Sequence, residues 1–198
     1  VITLLGFIPV LLRVVRLCVT IGQPLQWVFF RAVTLQGAAV ATLPAKIGEA
    51  VLPLALVRRA NYSITSAIGV LLLLRLYDFL TITLIGAVSL GVLAAEFGML
   101  FWRPLLLAGA AAALCAMVFF PMLATWFSAH IRKYLNPGGR IVRLLDQLSL
   151  SSRGLSRRQL AGLILASGLI WACLSMVFYL AGLYFDATPG VAASALAG

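Results

Sequence analysis

Long apolar runs, separated by short basic or turn-forming stretches, organise the chain from end to end. Crossing a hydrocarbon core of about 30 Å takes roughly 20 helical residues at about 1.5 Å of rise each. Residues 66–93, 104–127 and 160–184 are apolar over at least that length and predict three transmembrane helices. A fourth apolar stretch, residues 32–57, is interrupted in its middle by Leu-Pro-Ala-Lys-Ile-Gly-Glu. Residues 128–159 form a basic connection, in which Ile141, Leu144, Leu145 and Leu148 recur at helical spacing with Arg140, Arg143 and Gln147 on another face. That pattern predicts an amphipathic helix lying in the membrane interface, and Ser156 with Gln159 forms a capping-box pattern that starts the last long run.

Composition agrees with the pattern. A mean hydropathy of +1.11, with 63% hydrophobic and 10% charged residues, excludes a water-soluble domain of this size. The expected fold is an all-α integral membrane protein, a polytopic helical bundle. Its formal charge of +10 does not indicate a nucleic-acid partner, because the basic residues punctuate apolar spans instead of forming a face with exposed aromatics. Cys18, Cys115 and Cys173 are far apart and give neither a disulfide framework nor metal-ligand spacing. His130 is the only histidine, so no histidine-paired metal site or nucleophile–base dyad can be assembled, and no cofactor is expected. It lies beside Trp126, as an interfacial residue would, whereas Trp171 falls inside a run and is expected to pack. Asn136-Pro137-Gly138-Gly139 lacks the preceding strand and the following Lys-Ser or Lys-Thr of a phosphate loop, and reads as a turn. The apolar start at Val1 and the final Val-Ala-Ala-Ser-Ala-Leu-Ala-Gly suggest a fragment of a longer chain, with residues 1–10 the tail of a truncated span.

Lys and Arg accumulate on the cytoplasmic side, and their distribution orients the spans. Arg13, Arg16, Arg31, Arg58 and Arg59 flank the early segments, while Arg132, Lys133, Arg140, Arg143, Arg153, Arg157 and Arg158 fill the basic connection. The neutral loop around Glu96 and Arg103 and the acidic one at Asp186 then face outward. If residues 32–57 crossed the membrane, every later loop would change sides and the most basic connection would lie outside. A re-entrant hairpin over residues 32–57, broken from Pro44 to Gly48, keeps Arg31 and Arg58 on one side. Irregular backbone at such depth is tolerated where protein or a water-filled cavity surrounds it.

Four ionisable residues stand inside this apolar sequence: Lys46 and Glu49 in the break, and Arg75 and Asp78 in Leu-Leu-Leu-Leu-Arg-Leu-Tyr-Asp-Phe-Leu. A charge at the bilayer centre costs about 2.5–3.5 kcal/mol even on lenient scales, so such residues face one another and mark a site. Each pair is spaced i,i+3 and shares a helix face. From Arg31 to Pro44 is ~20 Å of helix, and from Ser66 to Arg75 and Asp78 is ~14–18 Å, which brings both pairs to similar depth. Lys46 or Arg75 is expected to neutralise Glu49 or Asp78 around a break that offers free backbone groups, as in the broken helices of secondary transporters. Pro44, Lys46, Gly48, Glu49, Arg75 and Asp78 form the expected substrate site. A structural ion pair that pins the hairpin to the long helix is the bland alternative.

With these residues in view, the chain resembles the transmembrane region of lysylphosphatidylglycerol synthases and their stand-alone, flippase-like relatives, a family with an archaeal glycosyltransferase-associated branch. The likeness rests on Leu-Pro-Ala-Lys-Ile-Gly-Glu-Ala followed by Val-Arg-Arg-Ala-Asn-Tyr-Ser, on the Arg75 to Asp78 spacing, and on Leu-Arg-Val-Val-Arg upstream. Leu52 and Leu74 depart from it, standing where relatives often carry an arginine and an acidic residue. The resemblance implies a multi-pass protein of a prokaryotic cytoplasmic (inner) membrane whose partners are the bilayer and a lipid substrate. It also implies a second glycine-rich break with its own glutamate beyond Gly198. Moving an anionic or isoprenoid lipid between leaflets is the function it favours. The alternatives are the membrane portion of a lipid-modifying enzyme, delivering lipid to a soluble transferase domain, and a purely structural membrane partner.

Overall fold

The computed structural model describes residues 2–43, 45–96, 101–131, 133 and 140–184. These residues form seven α-helices and no strand: α1 (Ile2–Ile21), α2 (Trp27–Thr42), α3 (Ala45–Ala60), α4 (Ile64–Glu96), α5 (Arg103–Ile131), α6 (Arg140–Arg153) and α7 (Arg157–Tyr184). Pro44, residues 97–100 and 185–198, where the sequence predicts outward loops, and residues 136–139, where it predicts a turn, lie outside the described residues, as do the side chains of Lys46, Arg140, Ile141, Arg143 and Leu144.

Local chemistry explains where the early helices stop. Gly22 takes φ of +71°. Its N–H returns to the Val19 carbonyl at 3.2 Å and that of Gln23 to Cys18 at 3.1 Å, which is the Schellman closure of α1. Leu43 is extended (φ −112°, ψ 160°), as a residue before proline must be to avoid the ring, and this ends α2. The break is narrower than the expected Pro44 to Gly48, because α3 begins at Ala45, so Ala45 to Gly48 supply its first turn. Proline is compatible with a helix start, where its missing N–H would have no intrahelical partner.

α2 and α3 are 16 residues each, or about 24 Å long, short of the ~30 Å needed to cross a bilayer. They pack side by side as a hairpin. A Cβ on Gly48 would lie 2.6 Å from the Val40 Cα, so the crossing admits no side chain there. At the far end Asn61 adopts φ of +54°, a conformation asparagine tolerates. Ser63 then caps α4, its Oγ accepting the Ser66 N–H at 3.1 Å, and the chain turns back along α3.

The three long apolar runs lie within α4, α5 and α7, the described helices long and apolar enough to cross a membrane. α4 packs along α5, with the Tyr77 hydroxyl donating to the Met117 carbonyl at 2.9 Å, and α1 packs along α7, where Gly162 faces Val19. The core gathers Leu17 of α1, Phe29 and Ala32 of α2, Leu52 and Leu56 of α3, Leu73 and Tyr77 of α4, and Leu163 of α7. Amphipathic α6 is docked on α4 and α5: Ser128 and Asp146 share a 2.9 Å hydrogen bond, and a Cβ at Gly69 would collide with the Ser151 hydroxyl. The capping box of α7 is formed, with the Ser156 N–H donating to Gln159 Oε1 at 2.8 Å and the Gln159 N–H to Ser156 Oγ at 3.3 Å.

Candidate functional site

Four charged side chains from three helices form an alternating series, Arg16, Asp78, Arg75 and Glu49. Its inner end is Arg16 of α1, whose guanidinium grips the Asp78 carboxylate of α4 in a two-point contact, with Nη2 to Oδ2 at 3.2 Å and Nη1 to Oδ1. Nη1 also donates to Ser167 Oγ on α7 at 3.1 Å, and Trp171 Nε1 on the same helix reaches Asp78 Oδ1 at 3.4 Å. The Arg16 and Asp78 side chains are only 6% and 12% exposed. A fork-to-carboxylate geometry with added donors is what a desolvated pair requires, because burial penalises any charge whose lone pairs and protons are not met.

The outer end is looser. Arg75 Nη1 shares Asp78 Oδ2 at 3.5 Å, and Nη2 meets Glu49 Oε1 of α3 at 3.0 Å. Arg75 is 43% exposed and Glu49 37%. Their i,i+3 spacing puts Arg75 and Asp78 on one face of α4, and docking of α3 along that helix brings Glu49 within reach.

These residues border a cavity of about 220 Å³ among α1, α2, α3 and α4, with Arg13 and Gln36 completing its polar side and Val33, Val40, Leu52 and Leu71 its apolar one. Among the described residues, three guanidinium groups (Arg13, Arg16, Arg75) and two carboxylates (Glu49, Asp78) line it, a surplus of one positive charge. Among the described residues Arg13 has no carboxylate within ion-pair distance. Guanidinium, carboxylate and amide groups bind and neutralise charge, and a cationic surplus facing open volume favours an anion.

Of the residues expected from sequence, Glu49, Arg75 and Asp78 meet here, and Arg75 is the partner of Glu49. Gly48 serves the α2–α3 crossing. Lys46 lies in the first turn of α3, its side chain outside the described ones, and Pro44 is outside altogether. Two expectations are corrected. Arg13 and Arg16 do not flank a span but lie inside α1, which continues to Ile21, and Arg16 is the principal partner of Asp78. Trp171 does more than pack, since its indole N–H is directed at the Asp78 carboxylate. Sequence reasoning also missed Ser167 and Gln36. For Arg13 and Arg16 a signal existed: no turn former follows them until Gly22, which places both within one helix.

Three membrane-length helices, a hairpin too short to cross and an internal charge network define a multi-pass helical membrane protein with a polar site inside its bundle. The chain matches the family described as lysylphosphatidylglycerol synthase TM region over residues 1–198, and it belongs to that family. No curated protein and no solved structure matches it.

Proposed function

We propose that this protein moves a lipid, anionic or isoprenoid, between the leaflets of a prokaryotic cytoplasmic membrane, using the charge-lined cavity as the headgroup's path. One observation carries the reading: a cavity with surplus guanidinium charge is bordered by a hairpin whose helices are too short to span. In this reading α2 and α3 are re-entrant, entering from the cytoplasmic side and returning to it. Glu49, Arg75 and Asp78, together with Lys46 and the break at Pro44, contact the substrate, and Gly48 supports them by holding α3 close to α2. The basic members attract the headgroup, and the acids hold them in place or accept a coupling proton. The test is redistribution of a labelled phosphatidylglycerol between leaflets of vesicles that contain the full-length protein. Faster redistribution than in protein-free vesicles, reduced by Lys46→Gln, is the expected result. Equal rates in both kinds of vesicle would overturn the reading.

A second reading is favoured by the description of the family, which names a synthase. These helices would then deliver lipid to a soluble transferase domain. It predicts that the full-length protein modifies lipid headgroups, and that Glu49→Gln lowers product formation without any redistribution activity to lose.

A further inference from the structure

The polar cavity has an apolar neighbour. On an exposed side of α3 and α4 lies a groove of about 480 Å³, lined by Ala50, Pro53, Leu54 and Val57 of α3 and by Ile64 and Ile68 of α4. Glu49 and Leu71 line both spaces, so the two adjoin across these side chains, and Glu49 is the one polar side chain in the groove's lining. Pro53 has no N–H to give the carbonyl four residues earlier, which belongs to Glu49, so the junction also carries a backbone acceptor that the helix does not use in the ordinary way. Leu54 and Ile64 are 49% and 65% exposed, which leaves the groove open along its length.

We propose that this groove is the acyl-chain site of the transported lipid, with Glu49 the switch between chain and headgroup compartments. This rests on the reading that a headgroup enters the polar cavity. A glycerophospholipid with one net negative charge is the occupant that fits. Its phosphate cancels the cavity's surplus of one positive charge, where a zwitterion would leave that surplus in place. Arg13 is the guanidinium free to receive it, and Arg75 becomes the second when the half-exposed Glu49 carboxylate yields its place. One chain then lies along the α3–α4 groove, where every other lining side chain is apolar. Sharing Glu49 and Leu71 with the cationic cavity distinguishes the groove from the exposed outer face of α5, where Leu105 and Met122 line no part of that cavity.

Photo-crosslinking tests this on the full-length protein in phosphatidylcholine vesicles, using phosphatidylglycerol with a diazirine on one acyl chain. Adducts should concentrate at Leu54 and Ile68 over Leu105 and Met122. Unlabelled phosphatidylglycerol should displace them and added phosphatidylcholine should not. Arg13→Gln should cut groove labelling about tenfold, the factor expected from losing one charge-assisted hydrogen bond. The competition arm uses the unaltered protein, so a variant that fails to insert does not decide the matter. Equal labelling of the groove and the α5 face, or displacement by both lipids alike, would mean ordinary bilayer lipid fills the groove and would overturn the assignment. Headgroup-selective labelling without redistribution would leave the acyl site standing and remove the transport reading. Redistribution that needs Glu49 but shows no groove labelling would do the reverse.

Discussion

Of the three ion pairs of the site, the two at its ends use the same chemistry at different degrees of burial. Arg16–Asp78 is enclosed by α1, α4 and α7, gripped at two points and supported by Ser167 and Trp171. Arg75–Glu49 joins α4 to the short hairpin through one contact at 3.0 Å, with both side chains more than a third exposed toward the cavity. A buried pair held at two points exchanges its partners reluctantly even though the Arg16 Nε finds no acceptor, because releasing one partner strands the other in a medium that cannot solvate it. A half-exposed pair exchanges at little cost. The inner pair is therefore the clamp that fixes α4 relative to α1 and α7, and the outer pair is the member that can open to a ligand.

Breaking the inner pair should have the largest effect on folding. Asp78→Asn leaves the buried Arg16 without a carboxylate and should destabilise the protein by about 3–5 kcal/mol, and Arg16→Met should cost less, because Asp78 keeps Arg75 at 3.5 Å. This would be seen as loss of monodisperse protein and a lowered thermal midpoint in detergent. Arg16→Met combined with Asp78→Leu should recover much of that loss, since apolar replacement of a buried pair is often near neutral. Single changes no more damaging than Glu49→Gln would erase the distinction between the pairs.

The hairpin crossing comes next. Gly48→Ala forces a methyl against the α2 backbone and should cost about 1–3 kcal/mol. Gly37→Ala, with nothing within 4 Å of its new Cβ, should be neutral or stabilising by up to about 1 kcal/mol. Thermal midpoints of the two variants check the pair, and equal shifts would mean that α2 and α3 do not need that contact. Trp171→Phe removes only the 3.4 Å donor to Asp78 and should cost about 0.5–1.5 kcal/mol, measured the same way.

The outer pair was more legible in the sequence than the inner one. Glu49, Arg75 and Asp78 announce themselves because an ionisable group within a long apolar run has few reasons to be there. Arg16 carries the same charge but stands near the end of an apolar stretch, where arginine ordinarily marks a membrane boundary. Only the helix continuing to Ile21, and its packing along α7, turn that residue inward. Ser167 and Trp171 give no signal of their own, since a serine and a tryptophan inside a span also occur as packing residues. The three long helices follow directly from run length. The extent of the hairpin break does not, because proline and glycine mark a discontinuity without saying which of them the helix absorbs. Here the helix takes in Gly48, and the glycine serves close packing.

Function separates the two pairs most directly through Glu49→Gln, scored as leaflet redistribution of labelled phosphatidylglycerol per correctly inserted full-length protein. Because the outer pair is half-exposed, this variant should lose less than about 1 kcal/mol of stability and remain abundant. Its redistribution rate should nevertheless fall about tenfold or more, the consequence of removing a charged partner that exchanges with substrate. A well-inserted Glu49→Gln protein that redistributes lipid at the unaltered rate would contradict the account and reduce the outer pair to a fastening between α3 and α4.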